Sequence, residues 1–186
     1  MTTDLHTLRE RLADAAAREG ILDVAYRTMD SPVGSLLLAA TDAGLVRVAF
    51  EVQDHESALA TLAAAVSPRI LRAPRRLDGV AREIDEYFAR RRRTFDVPLD
   101  LRLACGFRRE VLDHLPEIAY GRTESYSDVA AAAGSPRAVR AVGTACALNP
   151  VPIVVPCHRV VRSDGSMGQY AGGPGAKRAL LDLEAT

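Results

Sequence analysis

The chain has 186 residues, 48% apolar and 26% charged, with Lys plus Arg and Asp plus Glu both numbering 24. That length suits one domain or two small ones, and the composition excludes a disordered chain. Zero net charge excludes a protein that coats nucleic acid by bulk electrostatics, leaving room for a local basic patch.

Cys105, Cys146 and Cys157 are odd in number, far apart and form no CxxC pair. Neither a disulfide framework nor a metal site is expected from them, and they suit a reducing compartment. No apolar run approaches the roughly 18 residues of a membrane span, and no charged-then-apolar leader is visible. The expectation is a soluble cytoplasmic protein with no membrane partner.

In chain order, residues 5–19 carry Leu5, Leu8, Leu12 and Ala16 at helical spacing before Gly20, which predicts a short amphipathic helix. From Asp23 to Phe50 the text turns β-branched and apolar, broken by "DSPVGS" and "TDAG". Those turn signals predict strands at 23–29, 35–40 and 45–50 in a small antiparallel sheet. Helices are expected at 55–66 and 77–91. Arg90 to Arg93 then fall in a last helical turn, where cations suit the macrodipole; a solvated helix end and a phosphate-contacting role fit equally. "FDVPLDLRLACG" reads as an extended connector to a mostly helical second half. The fold class is therefore α/β, of α+β type. A helical extension spans 1–22, a three-stranded α/β domain 23–100, and a helical domain 101–186.

Residues 125–150, "SYSDVAAAAGSPRAVRAVGTACALNP", read as a helix-turn-helix. Ser125 and Asp128 match a capping box, Gly134 closes the first helix, and Ser135 with Pro136 opens the second, which runs to Leu148. A helix that reads base edges in the major groove displays several Arg, Asn, Gln or Lys side chains. This one offers Arg137 and Arg140, then the small residues Ala141, Gly143 and Thr144. Small residues permit the close approach a minor groove demands, with one arginine as a wedge. An alanine-rich helix packed on its neighbours fits the residues as well. Six cations against Asp164 alone between Pro136 and Arg178 favour a basic face.

"VVPCHRVV", residues 154–161, sets Cys157 between a proline and one of only four histidines. A thiol nucleophile needs a base and a group to orient that base. Side chains of adjacent residues on an extended strand point to opposite faces, so a turn or a bridging water must bring His158 to Cys157. Downstream, a glycine-rich loop at 163–175 feeds a final helix. There Glu184 sits at the end the dipole disfavours for an anion, so it either frays into water or pairs with a cation.

The stretches "RAVGTACALNPVPIVVPCHRVV", "GQYAGG" and "LLDLE" together resemble the methylated-DNA–protein-cysteine methyltransferases, the O6-alkylguanine-DNA alkyltransferases. The likeness is close from Phe107 to Glu184 and looser over "SPVGSLLLAATDAGLVRVAFE". It implies a single-turnover protein that flips O6-alkylguanine out of double-stranded DNA through the minor groove and moves the alkyl group irreversibly to Cys157. O6-methylguanine is the chief lesion, with O4-methylthymine as a second candidate. By the same resemblance His158 is the base acting through a water and Glu184 holds its imidazole. Arg140 is the finger that fills the place of the extruded nucleotide, and Tyr126 helps rotate that nucleotide and donates a proton to the guanine. Asn149 is the hinge that ties the recognition helix to the cysteine segment. The carbonyls of Cys157 and Val160 and the N–H of Ala171 would hold the base, with Tyr170 among the substrate-binding residues. Many relatives have serine where this chain has Ala171, which leaves no hydroxyl there. No cofactor and no metal are implied, and a monomer is expected. A non-enzymatic, alkyltransferase-like lesion binder is the alternative. Those relatives lack the acceptor cysteine, commonly having tryptophan there, whereas this sequence keeps Cys157 and has no tryptophan.

Overall fold

A computed structural model describes residues 5–185. The first helix, α1 (Leu5–Arg18), ends where Gly20 takes φ +67°. There the Gly20 and Ile21 amides return to the Ala17 and Ala16 carbonyls, closing a glycine C-cap. Its inner face differs from the expected stripe: Ala13 and Ala16 are buried, while Leu8 and Leu12 stand about half exposed. Small side chains let the helix lie close to its neighbours, and the leucines are left outside.

Strands β1 (Val24–Met29), β2 (Leu36–Thr41) and β3 (Gly44–Phe50) form the expected antiparallel meander. The sheet is nonetheless mixed and four-stranded. A fourth strand, β4 (Ile70–Arg72), pairs parallel with β1, giving the order β3-β2-β1-β4. Three residues after "SPR" are too few to show a strand period. Helix α2 (His55–Ala65) crosses between β3 and β4, the kind of connection a parallel pair requires. Leu36 and Leu38 face the main core, while Leu37 and Ala39 face Ala58 and Leu62 of α2. A strand covered on both faces reads as continuous "LLLA" rather than alternating.

Helix α3 is shorter than expected, Asp78–Phe88. The Arg90 and Arg91 amides bond the Tyr87 and Glu86 carbonyls, with Arg90 at φ +58°. The four arginines therefore lie past the helix end, and none rests in its last turn. Arg92 instead bridges Glu83, Glu86 and Asp96, and Arg93 lies over the Tyr120 ring. The connector then runs back beside β3, where the Leu45 amide bonds Pro98 O at 2.8 Å and the Asp100 amide bonds Leu45 O at 2.9 Å.

The second half holds α4 (Phe107–His114), β5 (Glu124–Ser125), α5 (Tyr126–Ala132), α6 (Val139–Ala147), β6 (Val160–Val161) and α7 (Gly173–Glu184). Strands β5 and β6 pair in parallel. The Ser125–Asp128 capping box and the Gly134 turn, at φ +73°, are present. The second helix of the pair begins three residues after Pro136. Residues 135–138 close a separate turn, Ala138 N to Ser135 O at 2.8 Å, and no side chain caps α6. One apolar core runs unbroken from Phe50, Leu77, Ile84 and Tyr87 to Val111, Leu112, Val151 and Leu180. Among the described residues no helix is long and apolar enough to cross a membrane.

Candidate active site around Cys157

Between α6 and β6 the chain makes a single 3-10 turn, Cys157–Arg159. The Arg159 amide bonds Pro156 O at 3.0 Å and the Cys157 amide bonds Val155 O at 2.9 Å. A 3-10 turn spaces successive side chains by about a third of a revolution. This supplies the turn that an extended PCH segment lacks.

Asn149, at the end of α6, fixes that turn to the helix. Its Nδ2 donates to Val155 O at 2.8 Å and to Cys157 Sγ at 3.1 Å, and its Oδ1 accepts from the Val151 amide at 3.0 Å. Cys157 is only 1% exposed, so it is not the partly accessible thiolate that its chemistry suggests. Burial pushes the thiol up to about 11, against the Asn149 hydrogen bond and the Lys177 ammonium, which both pull it down. At neutral pH the resting residue is a thiol, and it needs a base.

His158 is fully buried, and its Nε2 meets Glu184 Oε1 at 2.9 Å. Burial drives the imidazole below its usual value despite the carboxylate beside it. The neutral ring then donates from Nε2. Its Nδ1 has no hydrogen-bond partner among the described residues, so a lone pair stands ready for a proton.

Glu184 is 4% exposed and accepts from five donors. Arg159 binds both oxygens, Nε to Oε2 and Nη2 to Oε1, each at 2.9 Å. His158 shares Oε1, as does the Tyr87 hydroxyl at 2.7 Å, and the Gly121 amide reaches Oε2 at 3.2 Å. Burial opposes its ionisation, yet the hydrogen bonds from His158 and Arg159 hold the carboxyl down to about 2. An anion persists at this helix end because it is paired.

Lys177, the sole lysine of the sequence, is also buried, its Nζ donating to Val160 O at 2.6 Å. One lone pair of that carbonyl is therefore occupied. Tyr170 stands edge-on to Phe50 and His158, with ring centroids 5.5 and 6.3 Å away, and its buried hydroxyl has no hydrogen-bond partner among the described residues. Tyr126, at the start of α5, is half-buried; its ring lies 5.9 Å from Lys177 Nζ, and burial raises its hydroxyl above the usual phenol value. Ala171 is half-buried in the turn leading into α7.

The outer face of the helix pair carries Arg137, Arg140, Ala141 and Thr144, all exposed, with Gly143 half-buried, while Val142, Ala145 and Cys146 pack inward. Burial raises Cys146 strongly, and Cys105 is exposed. The basic face is smaller than the sequence count suggests. Arg159 and Lys177 point into the protein, leaving Arg137, Arg140, Arg162 and Arg178 outside.

The structure thus brings Cys157, His158, Glu184 and Asn149 together and puts Arg137 and Arg140 on the adjoining surface. It adds Tyr87, Arg159 and Lys177, which sequence reasoning missed. Arg159 and Lys177 were counted as surface charge, and Tyr87 carries no signal in the sequence that ties it to a segment 71 residues on.

Residues 24–101 match the family model for the ribonuclease-like domain of 6-O-methylguanine DNA methyltransferase, and residues 106–186 match the model for its DNA binding domain. A methylated-DNA–protein-cysteine methyltransferase of Mycolicibacterium paratuberculosis is 40% identical over 87% of this chain and 92% of its own. The crystal structure of the Mycobacterium tuberculosis O6-methylguanine methyltransferase superposes with a TM-score of 0.77 at 40% identity, covering 87% of this chain and 93% of that one. A crystal structure of M. tuberculosis OGT in complex with DNA gives 0.76 at 38% identity, covering 87% and 92%.

Proposed function

Because the chain belongs to the methylated-DNA–protein-cysteine methyltransferase family, it binds DNA and repairs it by moving an alkyl group to one of its own cysteines, and we propose that this cysteine is Cys157. The observation that carries the assignment is the bare Nδ1 of a His158 ring whose other nitrogen is anchored on Glu184, one residue from a thiol held by Asn149. A base oriented by a third group is what a thiol needs to become a nucleophile.

The substrate is O6-alkylguanine in duplex DNA. A base stacked in a helix cannot reach a buried thiol, so it must be everted, at a cost of roughly a few kcal/mol. Arg140 fills the vacated space from the minor groove, and Arg137 contacts the backbone. The small residues Ala141, Gly143 and Thr144 allow α6 to approach closely. The everted guanine lies against the carbonyls of Cys157 and Val160, the Ala171 N–H and Tyr170.

The thiol proton passes to His158 Nδ1 through a water, and the imidazolium is stabilised by Glu184. The thiolate attacks the alkyl carbon, the S–C bond forms and the C–O6 bond breaks. Tyr126 supplies a proton to the departing guanine and is reprotonated from the relay. Atoms and charge balance without a metal or organic cofactor. A thiolate is a poor leaving group from an uncharged thioether, so each molecule acts once. The protein acts as a monomer, in the cytoplasm, where its three unpaired cysteines suit the redox poise.

Incubation with duplex containing O6-methylguanine should add one methyl mass to the peptide bearing Cys157. The Cys157→Ala variant should bind the duplex and transfer nothing. Methyl mass on Cys105 or Cys146 instead would overturn the assignment. Arg140→Ala should weaken eversion more than it weakens binding to undamaged duplex.

A further inference from the structure

Tyr87 lies in the last turn of α3, in the N-terminal half of the fold, and is fully buried. Phe88, Phe95 and Tyr120 surround its ring at centroid distances of 5.4, 5.4 and 6.1 Å. A phenylalanine would fill that aromatic cage without the cost of burying a hydroxyl. The hydroxyl instead donates to Glu184 Oε1 at 2.7 Å and lies 3.4 Å from His158 Nε2.

Taking Cys157 as the acceptor and His158 as its base, we propose that Tyr87 is a positioning residue for alkyl transfer, by which the N-terminal half sets the basicity of His158. Glu184 Oε1 receives the Tyr87 hydroxyl, His158 Nε2 and Arg159 Nη2. A carboxylate has about four lone-pair sites for its donors, so each added donor draws charge away from the others. Tyr87 also fixes the carboxylate rotamer, keeping Oε1 in line with the ring. The phenol cannot take the proton itself, because burial and then the Glu184 charge keep it protonated. The other groups facing the pair are Arg159 and Lys177, which disfavour an imidazolium, together with the Cys157 thiol and the neutral phenols Tyr120 and Tyr170. A Tyr87→Phe change keeps all of these side chains and the aromatic ring itself, and removes only the hydroxyl donor to Oε1.

The test uses Tyr87→Phe in the full chain. Loss of the competing donor leaves more negative charge for His158, so its imidazolium is favoured and the base is protonated at higher pH. The acid limb of the rate of methyl transfer from O6-methylguanine duplex should move up by about half to one pH unit. A limb that stays in place, or moves down, would overturn the role, and a loss of thermal stability alone would mark Tyr87 as packing. Ring 15N titration of His158 in the unreacted protein needs no DNA. A midpoint unchanged by the substitution overturns the Tyr87 role even if transfer to Cys157 fails, whereas absence of transfer in the unsubstituted protein sinks the Cys157 reading alone. Should the variant not fold, the unsubstituted protein decides. A slowly exchanging Tyr87 hydroxyl proton with an Overhauser contact to the His158 ring supports the role, and its absence overturns it.

Discussion

Arg159 and Glu184 form a two-point clamp beneath the cysteine turn, with side chains only 7% and 1% exposed. The guanidinium also donates from Nη1 to Ile118 O at 2.5 Å, so one arginine ties α7, the cysteine turn and the segment before β5. Removing one partner of a buried pair strands the other charge, which costs about 3–5 kcal/mol. Arg159→Ala should lose on that order in urea unfolding. Arg159→Lys should recover only part, because an ammonium cannot reproduce the planar fork. A loss below about 1 kcal/mol in Arg159→Ala would mean that the clamp contributes no more than a surface pair.

Two depressed groups of the site tie stability to pH. His158 titrates below its usual value when folded, so as pH drops through about 6.5 the unfolded chain takes a proton that the folded one refuses. Glu184 is held at about 2 against an ordinary 4.5, and its contribution is complete above about 4.5 and lost as pH falls toward 2. Both depressed groups bind protons more readily in the unfolded state, so their signs agree. Near pH 6.5 the loss at His158 is opposed by His114, which, against burial, its hydrogen bond to Glu124 raises, so melting temperature should change little there and decline steeply below about pH 4.5. Glu184→Gln should be less stable at neutral pH and show a flatter acid slope. An unchanged acid slope in that variant would contradict the assignment.

Much of this was legible in the chain, for local reasons. The Ser125–Asp128 box, the Gly134 turn and the three antiparallel strands each depend on residues within a few positions of one another. The cysteine segment stands out through its resemblance to a family, whereas the sequence leaves open whether a turn or a water brings His158 to Cys157, and the structure shows a 3-10 turn. What stayed hidden depends on distant partners. Strand β4 exists because β1 lies beside it, and Arg159 and Lys177 look like surface cations until Glu184 and Val160 O are seen beneath them. Arg90 shows another limit, since a left-handed residue at φ +58° that follows the Ala89 cap and is not glycine defeats the usual stop signal.

Lys177 tests how far one buried charge tunes the thiol. Its ammonium pulls the Cys157 thiol down against burial, and burial lowers its own value in turn. Lys177→Met keeps the length of the side chain and removes the charge, so the thiol should titrate higher. Methyl transfer at neutral pH should slow by about tenfold for each pH unit of that rise. Thiol-specific alkylation of Cys157 against pH measures the shift directly. A midpoint that does not move would show that the lysine only anchors Val160 O.

Two glycines near the site should separate strain from positioning. A Cβ on Gly121 would lie 2.7 Å from the Glu184 carbonyl, and its φ of +73° strains any side chain. Gly121→Ala should therefore destabilise the fold by about 1–3 kcal/mol. Gly168 has no such backbone constraint, but a Cβ there would collide with the Tyr126 hydroxyl and approach the ring at 2.9–3.0 Å. With Tyr126 as the proposed proton donor to the guanine, Gly168→Ala should leave the melting temperature nearly unchanged and slow methyl transfer by about 10–100-fold, because a phenol displaced by an ångström would no longer reach the base. If the effect runs through that hydroxyl, Gly168→Ala combined with Tyr126→Phe should be little slower than Tyr126→Phe alone. Fully additive losses in the double-mutant cycle would show that the glycine loop acts on the substrate by another route.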